Sequence, residues 1–262
     1  MDVRLVRIDL YPVKSLPGVH VTEARILPSG CLEHDRRYAL FDADGKLING
    51  KRTPLVHRIR LSSFDRTREQ ITIGDRESDR CETFSLVDGR AAIESFLSDR
   101  LGVAVMMRED AALGFPDDTL ASGPTVIASE TLAEVGNWFS LDVEDARQRF
   151  RANLMIEGGG PFWEDRLFGP PGETVTFRIG EAMLFGTNPC ARCVVPSRDP
   201  ESGEQDRGFA KAFAERRRNS LPAWADMDAF DHCYRLAVNT RHFAPAEGAV
   251  IRVGDRVELV NS

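Results

Sequence analysis

Short apolar, β-branched runs separated by turn residues fill the first hundred positions of the chain. Residues 3–13 read as a strand, stopped by a turn at Pro17-Gly18. Residues 21–27, 38–41, 47–49, 59–64, 70–73 and 83–87 are further strand candidates. Asp44-Gly45, between residues 38–41 and 47–49, marks a hairpin. This spacing of short strands predicts an antiparallel barrel or sandwich. The period then changes. Ile93, Phe96, Leu97 and Leu101 share one face at helical spacing and predict a helix over residues 90–101.

Breakers and charges cluster over residues 108–118, where Gly114, Pro116 and two Asp residues follow Arg-Glu-Asp. A division into domains 1–108 and 109–262 is expected there. Beyond it, residues 125–128 predict a strand and residues 130–139 a helix lined by Leu132, Val135, Trp138 and Phe139. Thr131 and Glu134 have the spacing of a capping box. A helical stretch over 143–148 leads to a strand at 153–156, broken by Gly158-Gly159-Gly160-Pro161. Strands are expected at 174–179 and 182–185, a helix at 207–218, and a final hairpin over 249–260 around Gly254-Asp255. Arg216-Arg217-Arg218 reads as a solvated helix end, where cations suit the dipole. The fold class is α+β and β-rich.

Composition narrows the function. The chain has 262 residues, with 34 cationic against 41 acidic side chains and a net charge of −7. That balance argues against sequence-independent nucleic-acid binding, which needs surplus cations. No run nears the ~18 apolar residues of a membrane span, and the start does not read as a signal peptide. A cytoplasmic protein without nucleic-acid or membrane partners is therefore expected. Only four of the 34 cations are Lys, which leaves Arg, the side chain suited to forked contacts with phosphate or carboxylate. The five cysteines favour thiol chemistry or metal ligation over disulfides.

The most informative stretch is Cys190-Ala191-Arg192-Cys193, set in loop sequence with Pro189, Pro196 and Pro200. Two thiols at this spacing can ligate a metal, cycle as a dithiol, or simply sit half-buried. A structural zinc site needs four ligands, and no second pair stands at ligand spacing. Val194-Val195-Pro196 is a poor helix start for a thioredoxin-like dithiol. Arg192 beside Cys193 favours thiolate, a soft ligand for a heavier transition metal. Lys14, Arg36 with Arg37, Lys51 with Arg52, and Arg151 lie in loops and would make an anion site if they converge. The triple glycine at 158–160 is not a nucleotide loop, for it lacks Gly-Lys and no helix follows.

An ordered set of short motifs then resembles the MOSC family, named for the C-terminal domain of molybdenum cofactor sulfurase. The set is Tyr11-Pro12-Val13-Lys14-Ser15, Asp35-Arg36, Phe150-Arg151-Ala152-Asn153, Pro161-Phe162-Trp163-Glu164-Asp165, Cys190-Ala191-Arg192-Cys193, Asp199-Pro200-Glu201-Ser202-Gly203 and Ile251-Arg252-Val253-Gly254-Asp255. It covers nearly the whole chain. The resemblance includes the branch with an N-terminal β-barrel domain, which holds the mitochondrial amidoxime-reducing components and bacterial reductases of N-hydroxylated bases. It implies a MOSC β-barrel domain packed with that N-terminal barrel. It also implies a molybdenum cofactor of the molybdopterin type, its metal ligated by the thiolate of Cys193. Lys14, Ser15 and Arg36 match N-terminal positions that contact the cofactor. Arg151 and Asn153 match the element that holds it from the other domain, Arg192 flanks the ligand, and Ser122 and Gly123 fall near a phosphate-contacting loop.

The implied activity is reduction of N-hydroxylated small molecules, with electrons from a separate reductase or ferredoxin-type protein. A carrier of molybdenum cofactor or of sulfane sulfur on Cys193, without turnover, is the alternative. Three positions depart from the family pattern: Ala191 stands for a common Ser, Ala152 for a Pro, and Arg37 for an aromatic residue.

Overall fold

The largest sheet of the molecule takes strands from both ends of the chain. A computed structural model describes residues 2–78, 80–242 and 248–260. Its first half holds β1 (Arg4–Leu10), β2 (Val19–Val21), β3 (Glu23–Arg25), β4 (Tyr38–Phe41), β5 (Ile59–Asp65), β6 (Gln70–Asp75), β7 (Cys81–Ser85), α1 (Arg90–Leu101) and β8 (Met106–Glu109). Then come β9 (Val126–Ala128), α2 (Ser129–Phe139), α3 (Val143–Phe150), β10 (Leu154–Glu157), β11 (Val175–Ile179) and β12 (Ala182–Ala191). The last elements are α4 (Phe209–Asn219), β13 (Arg235–Arg241), β14 (Val250–Arg252) and β15 (Val257–Leu259). The β-rich α+β class expected from the sequence is what the chain adopts.

Eight strands form one sheet in the order β15-β11-β12-β13-β9-β10-β1-β2. Pairing is antiparallel except between β9 and β10, which run parallel. Parallel neighbours need a crossover, and α2 with α3 supplies it. The sheet curls back on itself: Leu5 N–H donates to Asp255 O at 2.9 Å and Val257 N–H to Val3 O at 2.8 Å. These bonds tie the approach to β15 to β1 and blunt an edge that would otherwise be left open. Inside the curl, Leu5, Ile8, Leu10, Val126, Leu154, Ile156, Phe177, Leu184 and Val238 form the main core.

A second core lies under the sheet β5-β6-β7, where Ile59, Ile71, Ile73 and Phe84 meet Ile93 and Leu97 of α1. Helix α1 spans the residues its pattern predicts. Gly102 closes it at φ 66°, the left-handed conformation that a helix end commonly takes. A third cluster gathers α2, α3 and α4 around Phe150, Phe209 and Phe213, the last two one turn apart on α4. Each such buried aliphatic or aromatic side chain contributes about 1.5–3 kcal/mol before the entropy of ordering is subtracted.

Several expectations give way to longer-range pairing. Residues 47–49 form no strand. Ile48 N–H does reach Leu40 O at 2.8 Å, but the ladder partner of β4 is β8. The expected domain line at 108/109 therefore falls inside a strand, and β1 and β2 share a sheet with strands beyond residue 126. Residues 249–260 form no hairpin, since β14 pairs with β3 and β15 with β11. Thr131 caps nothing. Its hydroxyl donates to Glu164 Oε2 at 2.8 Å and accepts from Phe162 N–H, while α2 begins two residues earlier, at Ser129.

Arg217 is not solvated either. It is 1% exposed, paired with Asp165, and lies over the rings of Phe162 and Phe230. Its neighbour Glu164 is also buried, with Oε1 lacking a partner. Among the described residues, no helix is long and apolar enough to cross a membrane.

Burial, and then the charge of Asp165, push Glu164 up to about 8. The folded state thus holds a proton that the unfolded chain releases near pH 4.5. This contribution to stability is full below that value and is lost as pH rises toward 8. Glu164→Gln should remove the loss. The gap in melting temperature between variant and wild type should widen from pH 5 to 8, by about 2–4 °C per kcal/mol at this chain size. Parallel melting curves across that range would contradict the assignment.

Candidate functional site

A cavity of about 570 Å³ lies beside the second core, with Val56 and Leu61 of that core and Phe150 of the third cluster in its walls. Its walls come from the turn after β1, residues 31–36, the loop before β5, residues 113–123, the end of α3, and the segment after β12. All nine residues singled out from the sequence line it: Lys14, Ser15, Arg36, Ser122, Gly123, Arg151, Asn153, Arg192 and Cys193. Of the cations expected to converge, Lys14, Arg36, Lys51 and Arg151 line the cavity, whereas Arg37 pairs with Glu69 and Glu109 and Arg52 with Asp42, away from it. The nine side chains are, however, differently engaged.

Two guanidinium groups press on one ring. Tyr11 is 2% exposed, and its hydroxyl donates to Ala152 O at 3.2 Å. Arg36 lies 4.9 Å from the ring centroid and Arg151 lies 4.3 Å from it. Both backbones are left-handed, with φ 50° at Arg36 and 51° at Arg151, where Arg151 ends α3. Gly18 leaves room for the ring, since a Cβ there would stand 2.7 Å from Tyr11 Cε1. Arg36 pairs with Asp35 and donates from Nη1 to Asn153 Oδ1 at 3.2 Å. Arg151 donates from Nη2 to Leu16 O at 2.6 Å. The remaining nitrogens of both, Nε and Nη2 of Arg36 and Nε and Nη1 of Arg151, make no hydrogen bond to a described residue.

Other predicted residues are spent on the protein itself. Lys14 has three protons and three acceptors: Phe115 O at 2.8 Å, Pro116 O at 3.0 Å and Asp117 Oδ1 at 2.7 Å. Arg192 gives Nε and Nη2 to Leu236 O and Nη1 to Phe150 O, so it ties the segment after β12 to β13 and α3. Asn153, 2% exposed, receives Arg36 and Thr125 on Oδ1 and donates to Asp9 O. Ser122 donates to Ser29 O at 2.6 Å. Gly123 sits so close to β13 that a Cβ would meet Thr240 Oγ1 at 2.5 Å. Ser15, at φ 76°, lines the wall beside Lys14.

Cys193 lies just past β12, half-buried and free. Val195 N–H, at the start of a short 3₁₀ turn, points at its sulfur from 3.4 Å. Cys190 lines the same cavity. Among the described residues, no three His, Cys, Asp or Glu side chains converge as a metal site. A metal held at Cys193 would need its other ligands from outside the chain, which is what a dithiolene brings. The spare donors of Arg36 and Arg151 suit an anionic group on the same ligand. The residues present fit such a cofactor.

Electrostatics agree with an anion site. Burial pulls Arg36 down, but Asp35 and Asp117 more than offset it and hold the group above its ordinary value. Arg151 is held below its ordinary value, by burial and by the charge of Arg36 among its causes. Two wall residues escaped the sequence reading. His57 is pushed down to about 4 by burial, with Arg151 and Arg198 adding to the effect, and Nε2 has no partner. Asp117, seen in the sequence only as part of a boundary cluster, faces Arg36, Lys14 and Arg151. No local motif marks either residue, because their partners are distant in sequence.

Comparison with known proteins gives this arrangement a family. Residues 2–121 match the MOSC N-terminal beta barrel domain and residues 125–258 match the MOSC domain. The chain is 25% identical over 288 residues to human mitochondrial amidoxime-reducing component 1, covering 96% of this chain and 81% of that protein. The mouse protein of the same name is 23% identical, with 96% and 80% covered. Molybdenum cofactor sulfurase of rice is 24% identical over 248 residues, covering 78% of this chain and only 29% of the sulfurase. The chain thus spans less than a third of that relative's length. With both of the family's domains matched in order along its length, the chain belongs to the MOSC family.

Proposed function

We propose that this protein is a molybdenum-cofactor-dependent reductase of N-hydroxylated compounds, with Cys193 as the single protein ligand to the metal. The observation that carries this reading is the half-buried Cys193 thiol, in a cavity where no three metal-ligating side chains converge among the described residues and where two guanidinium groups keep unpaired donors. The likeness to amidoxime-reducing components across nearly the whole chain supports it. The reaction consumes two electrons and two protons, breaks the N–O bond, and releases amine or amidine and water. When bound, the cofactor supplies the two-electron redox chemistry.

The chain's own residues hold and orient. Val195 N–H fixes the Cys193 sulfur. Arg36 and Arg151 donate to the anionic part of the ligand, and Tyr11 and Asn153 keep Arg36 aimed. Arg192 acts through the backbone, by joining the Cys193 segment to the end of α3. A separate reductase or ferredoxin-type protein supplies the electrons. The sulfurase relatives favour a second reading, in which Cys193 carries cofactor or sulfane sulfur without turnover.

Turnover separates the two readings. Chain loaded in a host that makes the cofactor, given a chemical electron donor and an aromatic amidoxime, should yield the amidine. Cys193→Ser should fall to background. Loaded wild type that forms no amidine would leave the carrier reading standing instead.

The backbone role of Arg192 has its own test. Arg192→Lys keeps the charge but cannot span three donor positions. It should destabilise the cofactor-free chain by about 1.5–3 kcal/mol in urea unfolding. A variant as stable as wild type would show that Arg192 serves the ligand alone.

A further inference from the structure

Residues 115–122 run along the cavity wall without regular structure, between two anchored ends. At one end Phe115 N–H donates to Arg36 O at 2.8 Å, next to Gly114 at φ 68°. At the other, Ser122 is bonded to Ser29 O and Gly123 N–H to Thr240 O. Among the described residues, the hydrogen bonds and ion pairs that hold the span 116–121 to the rest of the protein all come from Lys14, to Pro116 O and Asp117 Oδ1. The segment is a strap with a glycine at each end and one latch.

The latch places an anion among the cavity cations. The Asp117 side chain is 74% exposed, whereas Lys14 beside it is 13% exposed. Enclosure raises the carboxyl, but Arg36 and Lys14 outweigh that effect and hold Asp117 well below the usual carboxylate range. The strap therefore does not open by protonation near neutrality.

Resting on the cofactor reading above, we propose that this strap is a lid carrying its own counter-anion. Asp117 stands where an incoming oxyanion binds, so loading the site exchanges one anion for another. Opening also frees two of the three Lys14 donors, those that the closed strap takes at Pro116 O and Asp117, while the bond to Phe115 O at the anchored end remains. A third cation then becomes available to a phosphate group, beside the spare donors of Arg36 and Arg151. The lid keeps the empty site neutralised and closed, and it weakens binding of small anions that lack other holds.

The experiment uses cofactor-free chain and inorganic phosphate, titrated calorimetrically into wild type, Asp117→Asn and Asp118→Asn. Asp117→Asn should bind phosphate about two- to fivefold tighter than wild type, the scale of one partly exposed ion pair. Amide hydrogen exchange over residues 116–121 should quicken in that variant without phosphate. Asp118→Asn removes the same charge from the same strap and cavity wall without touching Lys14, and should tighten binding far less than Asp117→Asn does. Unchanged or weaker binding by Asp117→Asn would overturn the lid, as would equal tightening by both variants. Phosphate bound equally by all three defeats the lid alone. Phosphate bound by none, in a chain that also takes up no molybdenum in a competent host, defeats the cofactor reading and the lid with it.

Discussion

Arg36 and Arg151 both lie against the ring of Tyr11, and Asp35 is the closest carboxylate paired with either. With each charge within 5 Å of the ring centroid, their repulsion is about 2 kcal/mol or more at an effective dielectric near 20. A cavity built this way favours an anion before any specific contact is counted. Much else in the structure serves that juxtaposition. Gly18 makes room for the ring, Asn153 holds Arg36, and the left-handed residue at the end of α3 turns Arg151 inward. The Asp117 strap supplies charge until something else does.

That juxtaposition depends on the sheet. Arg36 follows the strands at the start of the chain, while Arg151 precedes β10, and β1 pairs with β10 from Arg4↔Glu157 to Ile8↔Leu154. Tyr11 directly follows that ladder. Register between β1 and β10 therefore sets where the tyrosine ring meets the end of α3. On the far side, β12 runs on to Ala191 and delivers Cys193 to the same cavity, with Arg192 riveting the exit to β13 and Phe150. Ligand and cations come from different segments, and one sheet fixes their distance.

What the sequence showed follows from how local each signal is. Helix α1 and strand β4 were legible because their patterns are complete within a dozen residues. The Cys193 loop was legible as chemistry because its residues are contiguous. Strand β13 was not, although it sits mid-sheet. Buried on both faces, it carries Asn239 and Thr240 inward and a left-handed Ala237, so no alternation marks it. Arg217 looked solvated because its partners, Asp165 and two phenylalanine rings, are remote in sequence. The motif order singled out Lys14 and Arg192, which both line the cavity, but only the fold shows that their donors are spent on backbone carbonyls and on Asp117.

The most direct measurement is molybdenum and pterin content, by elemental mass spectrometry and oxidised-pterin fluorescence. It compares wild type with Cys193→Ser, both made in a host that synthesises the cofactor. Near-stoichiometric molybdenum and pterin in wild type, with the metal lost in the variant, is the expected result. Equal retention in both would remove Cys193 from its role as ligand. Absence of molybdenum and pterin from both would contradict the cavity's reading as a cofactor site.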